Sequence, residues 1–308
     1  MVSIEVPEVD YTGYSNRQLV AVPLAVLALA LCIIGGWYLA TGAPANLGVE
    51  FTGGAELRVT ADDAGTDEAS ERLEEAFSVE PSSIQYVPAD DSYVVTFRAS
   101  DLPDEDVDPP DDGTGEQDQL GQFADEAEAA GFTVETESFI SASFGADVAW
   151  QALGGVAIAF LGMSVLVFAM FRTFVPSVAV VASAFSDIVI PIAVMNLLGI
   201  EMTLGTVAAL LMIIGYSVDS DILLNNSVLR RTGDFYESVH RAMRTGVTMT
   251  VTSMSAMIVM AIVASLFGIG LLRDIGIILA VGLCADLMNT YLMNVTLLRW
   301  YKFEGVKR

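Results

Sequence analysis

Six stretches of this chain are apolar enough, and long enough as helices, to cross the roughly 30 Å hydrocarbon layer of a bilayer. They fall near residues 19–40, 150–170, 174–198, 202–226, 246–267 and 271–298. No other feature restricts the fold as much. Inside a bilayer every backbone N–H and C=O must be bonded within the protein, so these stretches are expected as helices. The last one is long enough to require tilt. A hydrophobic content of 53% and a mean hydropathy of +0.55 agree with the membrane class.

Residues 41–149, between the first two stretches, have a different composition. They carry 27 acidic and 3 basic side chains of the chain's 39 and 14. A segment of this size can bury its own core. Its negative field repels nucleic acid and anionic lipid headgroups, and the acids are scattered, as on a solvated surface suited to high salt. Gly53-Gly54 permits a sharp bend before an alternating stretch ending near Val59. A helix is expected at 66–78, with Asp67 and Glu68 in its first turn. Strands are expected at Ser83–Val87 and Tyr93–Arg98, separated by the turn Pro88–Asp91. An acidic, Pro/Gly-rich loop follows at 101–116. A helix at Gln117–Ala130, closed by Gly131, and a strand at Phe132–Phe139 complete the segment. The order β-α-β-β-α-β is that of a ferredoxin-like α+β domain.

Charge also orients the chain. Arg230, Arg231, Arg241 and Arg244 cluster between the fourth and fifth stretches, and Arg299, Lys302, Lys307 and Arg308 lie at the C-terminus. The positive-inside rule puts this loop, the N-terminal residues 1–18 and the C-terminal residues 299–308 in the cytoplasm. The 41–149 domain is then outside. The first stretch is too long for the apolar part of a signal peptide and lacks a basic leader, so it is expected to remain as a span. Cys32 and Cys284 lie within apolar stretches, and His240 has no ligand-like neighbours. Neither a disulfide framework, a metal site nor a cofactor is expected. The residues supply no catalytic set, so an enzyme is not expected.

The stretch from Leu204 to Arg231 places Asp219 and Asp221 close to or within the hydrocarbon. An isolated charge there costs ~3 kcal/mol or more, which marks such residues as functional by default. With a rise of ~1.5 Å per residue, Asp219, Asp286 and Arg244 are expected in one layer, with Asp187 nearer the outside. A vertical series of this kind suits a proton or cation relay. Arg244, Thr248, Thr252 and Ser255 share one helical face and form a polar stripe. Such hydroxyls either line a hydrated path or bond back to their own helix. Asp219 and Asp221, two apart, point to roughly opposite faces. Asp219 shares a face with Asn226 and Asp221 shares one with Asn225. Asp219 is the expected functional carboxylate, with Asp221 as a partner-facing or inner-mouth group.

Several of these segments together resemble SecF, the smaller membrane subunit of the SecDF protein-export complex, in its archaeal form. They are Gly48-Val49-Glu50-Phe51-Thr52-Gly53-Gly54, Ser186-Asp187-Ile188, Gly199-Ile200-Glu201, Ile214-Gly215-Tyr216-Ser217-Val218-Asp219, Arg244-Thr245 and Leu272-Arg273-Asp274. The resemblance implies six helices of the RND superfamily with an external ferredoxin-like domain after the first. It implies a role in late polypeptide translocation through the SecYE channel, with SecD as partner, driven by a proton or cation gradient. Residue Ser220 stands where bacterial members carry their acid, and Ser186 replaces a histidine. The alternative reading is a half-size RND exporter of lipids or small molecules. Such exporters usually carry twelve helices and two external domains, so six helices and one domain favour the export subunit.

Overall fold

The computed structural model describes residues 13–61, 66–88, 91–99, 114–230 and 234–303. Helix α1 (Asn16–Thr41) starts with a reciprocal cap between Ser15 and Gln18 and ends at Gly42 in the left-handed conformation. A single turn, α2 (Val49–Thr52), leads to Gly53 and Gly54 at φ +72° and +138°. These two residues turn the chain into the α+β domain. Added methyl groups would meet the Ala142 backbone at Gly53 and the Phe97 carbonyl oxygen at Gly54.

The domain consists of β1 (Gly54–Ala61), α3 (Thr66–Ala76), β2 (Ser83–Val87), β3 (Ser92–Arg98), α4 (Thr114–Ala129) and β4 (Phe132–Ile140). Its antiparallel sheet has the strand order β2-β3-β1-β4. The elements follow the sequence-based order closely. Most of the expected acidic loop, residues 100–113, lies outside the described residues. Alternation on β1 buries Ala55, Leu57 and Val59 against α3 and α4, with Tyr93, Val95 and Phe97 from β3. Phe97 and Phe123 stack at 4.3 Å between centroids. The opposite sheet face, with Glu56, Arg58, Val94 and Thr96, looks toward the helix connections.

The remaining helices are α5 (Ala142–Phe171), α6 (Phe174–Leu198), α7 (Leu204–Arg230), α8 (Phe235–Leu266) and α9 (Gly270–Met288). A π-helical segment (Asn289–Asn294) and α10 (Val295–Phe303) continue α9 without a break. Among the described residues five helices are long and apolar enough to cross a membrane: α1, α5, α6, α7 and α8. The expected sixth span, 271–298, is divided between α9, the π segment and α10, and α9 carries Arg273, Asp274 and Asp286. Arg172 and Gly199 close α5 and α6 in the left-handed conformation. Small residues let the helices approach: a methyl group at Gly276 would meet Ala261 and Met257 of α8, and one at Gly282 would meet Ile213 of α7. Helix α6 is the most buried, packed by α1, α7 and α9, while α5 and α8 keep broad apolar faces exposed.

The α+β domain is fastened to the α6–α7 connection. Leu47 bridges to Met202, Met202 N donates to Asn46 O (2.6 Å), and Gly48 N donates to Met202 O (3.0 Å). Arg98 pairs with Glu201 at 2.7 Å and also donates to Asn46 Oδ1. The Leu204 N–H donates to Glu50 Oε2. The α8–α9 connection lies against the domain too, with Gly268 under Pro88 and Gly270 under Gln85.

Candidate functional site

The centre of the helical bundle holds three carboxyl groups: Asp187 from α6, Asp221 from α7 and Asp286 from α9. Their exposures are 0%, 0% and 1%. Each is held by hydroxyl or amide donors. Ser217 Oγ donates to Asp187 Oδ2 at 2.5 Å, and Asn289 Nδ2 donates to Asp187 Oδ1 at 2.6 Å. Thr290 Oγ1 and Asn294 Nδ2 both reach Asp221 Oδ1 at 2.8 Å. Ser220 Oγ donates to Asp286 Oδ1 at 2.8 Å, and Thr290 Oγ1 lies 3.2 Å from the same oxygen. Ser220 and Thr290 are 3.3 Å apart, so their hydroxyls link α7 to the π segment. Among the described residues no Lys, Arg or His pairs with any of the three acids.

The π segment makes this convergence possible. Asn289, Thr290 and Asn294 are all in it, and all are fully buried. The i→i+5 geometry changes the angular spacing of successive side chains from that of an α-helix. Asn289 thus serves the acid on α6 while Asn294 serves the acid on α7. Such insertions are frequent at functional sites.

Several sequence expectations are corrected here. Asp187 belongs to the same cluster as the other two acids: its donors Ser217 and Asn289 come from the helix segments that also hold Asp221 and Asp286. Asp219 is exposed. It lines a groove between α7 and α8 with Tyr216, Asn226, Gly246 and Thr250, outside the buried cluster. Its expected common face with Asn226 is observed. Arg244, Thr248 and Thr252 line an adjoining shallow surface with Thr245, Met249 and Ser253. Their hydroxyls follow the second of the two readings: Thr248 bonds to Arg244 O, Thr252 to Thr248 O and Ser255 to Val251 O, each at 2.7 Å. The buried carboxylate of α7 is Asp221, not Asp219.

Ser220 connects the two regions, since it lines the open groove and donates to Asp286. Sequence reasoning did not single out Ser217, Asn289, Thr290 or Asn294. A signal was present: Asp286, Asn289 and Thr290 stand at i, i+3 and i+4 within an apolar stretch, which is one helical face. The motif after α1 has a different role. Phe51 is buried, and Thr52, Gly53 and Gly54 form the junction against α5, where a methyl group at Gly145 would meet Gly53 N.

Comparison with known proteins bears on this arrangement. Residues 122–304 match the family model of the C-terminal part of the protein export membrane proteins SecD and SecF. The SecF protein of Haloferax volcanii is 63% identical, and that of Haloquadratum walsbyi 60%, each over the full length of both chains. SecF of Methanocaldococcus jannaschii is 34% identical over 92% of this chain and 95% of its own. The crystal structure of SecDF from Thermus thermophilus superposes with a TM-score of 0.67 at 21% identity, over 96% of this chain and 39% of that one. That likeness is one of fold. The acidity of residues 41–149 suits a halophilic setting such as that of the Haloferax relative. The full-length match to these relatives, together with the family model over more than half the chain, shows that this protein belongs to the SecF family of protein-export membrane proteins.

Proposed function

We propose that the chain works as the SecF half of a SecD-containing export complex. In this reading it uses a proton or cation gradient to assist polypeptides leaving the SecYE channel. The role is non-enzymatic. The observation that carries the reading is the buried Asp187–Asp221–Asp286 cluster without a basic partner among the described residues. Three such groups cannot all remain charged cheaply in a low-dielectric interior. They take up protons or a cation, and release them when the surroundings change.

The path runs from the α7–α8 groove, past Asp219 and Asn226, through Ser220 to Asp286, Thr290 and Asp221. Arg244 lies beside that groove. Exposed Asp219 and Arg244 at membrane depth require cover, and a SecD-like bundle against α7 and α8 supplies it. Changing the occupancy of the cluster redistributes the Ser220 and Thr290 hydroxyls and so shifts α9 against α7. Because α9 starts under Gln85 and the α8–α9 connection lies under Pro88, such a shift reaches the external sheet.

The continuation of α9 through the π segment into α10 supports a sixth span, and the strand order β2-β3-β1-β4 supports a ferredoxin-like domain. The basic α7–α8 and C-terminal segments support cytoplasmic termini with the acidic domain outside. The test is gradient-driven export by membrane vesicles carrying Asp187→Asn or Asp221→Asn. Each variant should insert and assemble with SecD yet lose the gradient-dependent part of export. Wild-type rates in both would refute the reading.

A further inference from the structure

We propose that Asn196 is a positioning residue through which α6 moves the segment joining α1 to the α+β domain, with Pro191 as the pivot. The inference deepens the gradient-coupling reading and rests on it. Asn196 lies in the last turn of α6 and is buried. Both ends of its amide are taken by main chain far away in sequence. Asn196 Nδ2 donates to Pro44 O, and Asn46 N donates to Asn196 Oδ1, both at 3.1 Å. A flipped amide would set donor against donor and oxygen against oxygen, so the two bonds fix its orientation. Residues 44–46 lie outside helix and strand, and this one side chain serves them as a neighbouring strand would. An amide costs free energy at a buried site unless it is bonded. Packing alone would be met as well by an apolar residue, as at neighbouring Met195 and Leu197. Asn46 carries the grip onward. Its Nδ2 donates to Gly199 O at 3.3 Å, and its Oδ1 accepts from Arg98 of β3 at 3.0 Å. A displaced Asn196 therefore displaces Asn46, and Asn46 holds the sheet.

The order of residues along α6 supplies the movement. Asp187 comes first, Pro191 four residues later and Asn196 five beyond that. Proline has no N–H, so the helix provides no i→i−4 donor to the Asp187 carbonyl. Helices bend at such points. On the near side of the break, Ser217 of α7 and Asn289 of the π segment hold the Asp187 carboxyl. Asn196 is on the far side, ~7.5 Å further along the axis. A change in how Asp187 is held turns the far part of α6 about Pro191 and takes Asn196 with it. This route is separate from the one through α9, since it enters the domain by way of residues 44–46.

Distances between two spin labels on the full-length chain in lipid test this. The labels go on Glu135→Cys in β4 and Val259→Cys in α8, both exposed positions, with Cys32 and Cys284 replaced by serine. Asp187→Asn keeps the shape of the acid and removes its charge. It should shift the label distance by about 2 Å or more. Asn196→Leu keeps the bulk and removes both bonds, while Pro191→Ala restores a helical donor. Each should abolish most of the Asp187→Asn shift, the non-additivity expected of coupled residues. A residue that only stabilises the fold would leave that shift intact. If Asn196→Leu does not stay monodisperse, Pro191→Ala decides, because alanine is the better helix former. No shift with Asp187→Asn overturns the inference, and so does a shift undiminished in either second variant. Gradient-driven export separates it from the reading beneath it. If the shift survives Asn196→Leu while Asp187→Asn stops export, the gradient reading stands and the α6 route falls. If the shift needs Asn196 while Asp187→Asn exports at the wild-type rate, the route stands and the gradient reading falls.

Discussion

Thr290 Oγ1 lies 2.8 Å from Asp221 Oδ1 and donates its single proton there. The same hydroxyl is 3.2 Å from Asp286 Oδ1. It can serve one acid at a time, so it couples the occupancy of α7's carboxyl to that of α9's. Thr290→Val keeps the shape and removes the donor. It should lower the thermal stability of the membrane bundle by about 1–3 kcal/mol, the cost of an unmet buried acceptor, and should slow export. A melting curve superimposable on wild type would show that the hydroxyl is not shared as described.

The Arg98–Glu201 pair joins the sheet to the α6–α7 connection, with both side chains about a quarter exposed. Partial exposure limits its value to about 1 kcal/mol or less. Glu201→Gln should therefore leave the global melting temperature nearly unchanged. It should, however, speed hydrogen exchange at Gly48 and Met202, whose amides cross the same junction. Unaltered exchange there would mean the ladder alone fastens the domain.

Glu56 on β1 faces the cleft between sheet and helix connections, near Glu50, Glu201 and Arg58. Desolvation raises its pKa above the ordinary 4.5, Arg58 lowers it, and Glu201 and Glu50 raise it further. The folded state thus holds the proton more tightly than the unfolded chain. The stabilising contribution is complete below pH 4.5 and is lost as pH rises through the raised value. Glu56→Gln should flatten this part of the stability–pH curve. An unchanged slope in the variant would assign the dependence to other acids.

Gly54 has φ +138°, and a methyl group there would collide with the Phe97 carbonyl oxygen. Gly54→Ala combines backbone strain with a clash that neither β1 nor β3 can relieve without losing register. A cost of about 3 kcal/mol or more is expected, seen as loss of protease resistance in the external domain. Full resistance would show that the bend tolerates a side chain.

The acidity of 41–149 should make folding of the external domain depend on salt. The Debye length falls from ~10 Å at 0.1 M to ~3 Å at 1 M, which screens the repulsion among its surface carboxylates. Fluorescence-detected unfolding of this domain in the full chain should shift upward in molar salt. A transition independent of salt would oppose this.

Much of the fold was legible because local chemistry decides it. Apolar stretches of spanning length become helices in any apolar solvent. The alternation Ala55-Leu57-Val59 sets a strand, while α5 and α8 begin at Ala142 and Phe235, well before their apolar stretches, because polar residues extend both helices. The element order of the external domain was readable for the same reason. The candidate site was only half legible. Sequence could show that acids were buried in an apolar setting, and that Asp219 and Asp221 face apart, because helical periodicity fixes both. It could not show which of the two faces the bundle, since that depends on how α7 rotates against α6 and α9. Nor could it show the π segment at Asn289–Asn294, which sets the donors that meet Asp187 and Asp221. Those are properties of packing among elements far apart in sequence: of the expected residues they bury Asp187, Asp221 and Asp286 together and leave Asp219 and Arg244 exposed.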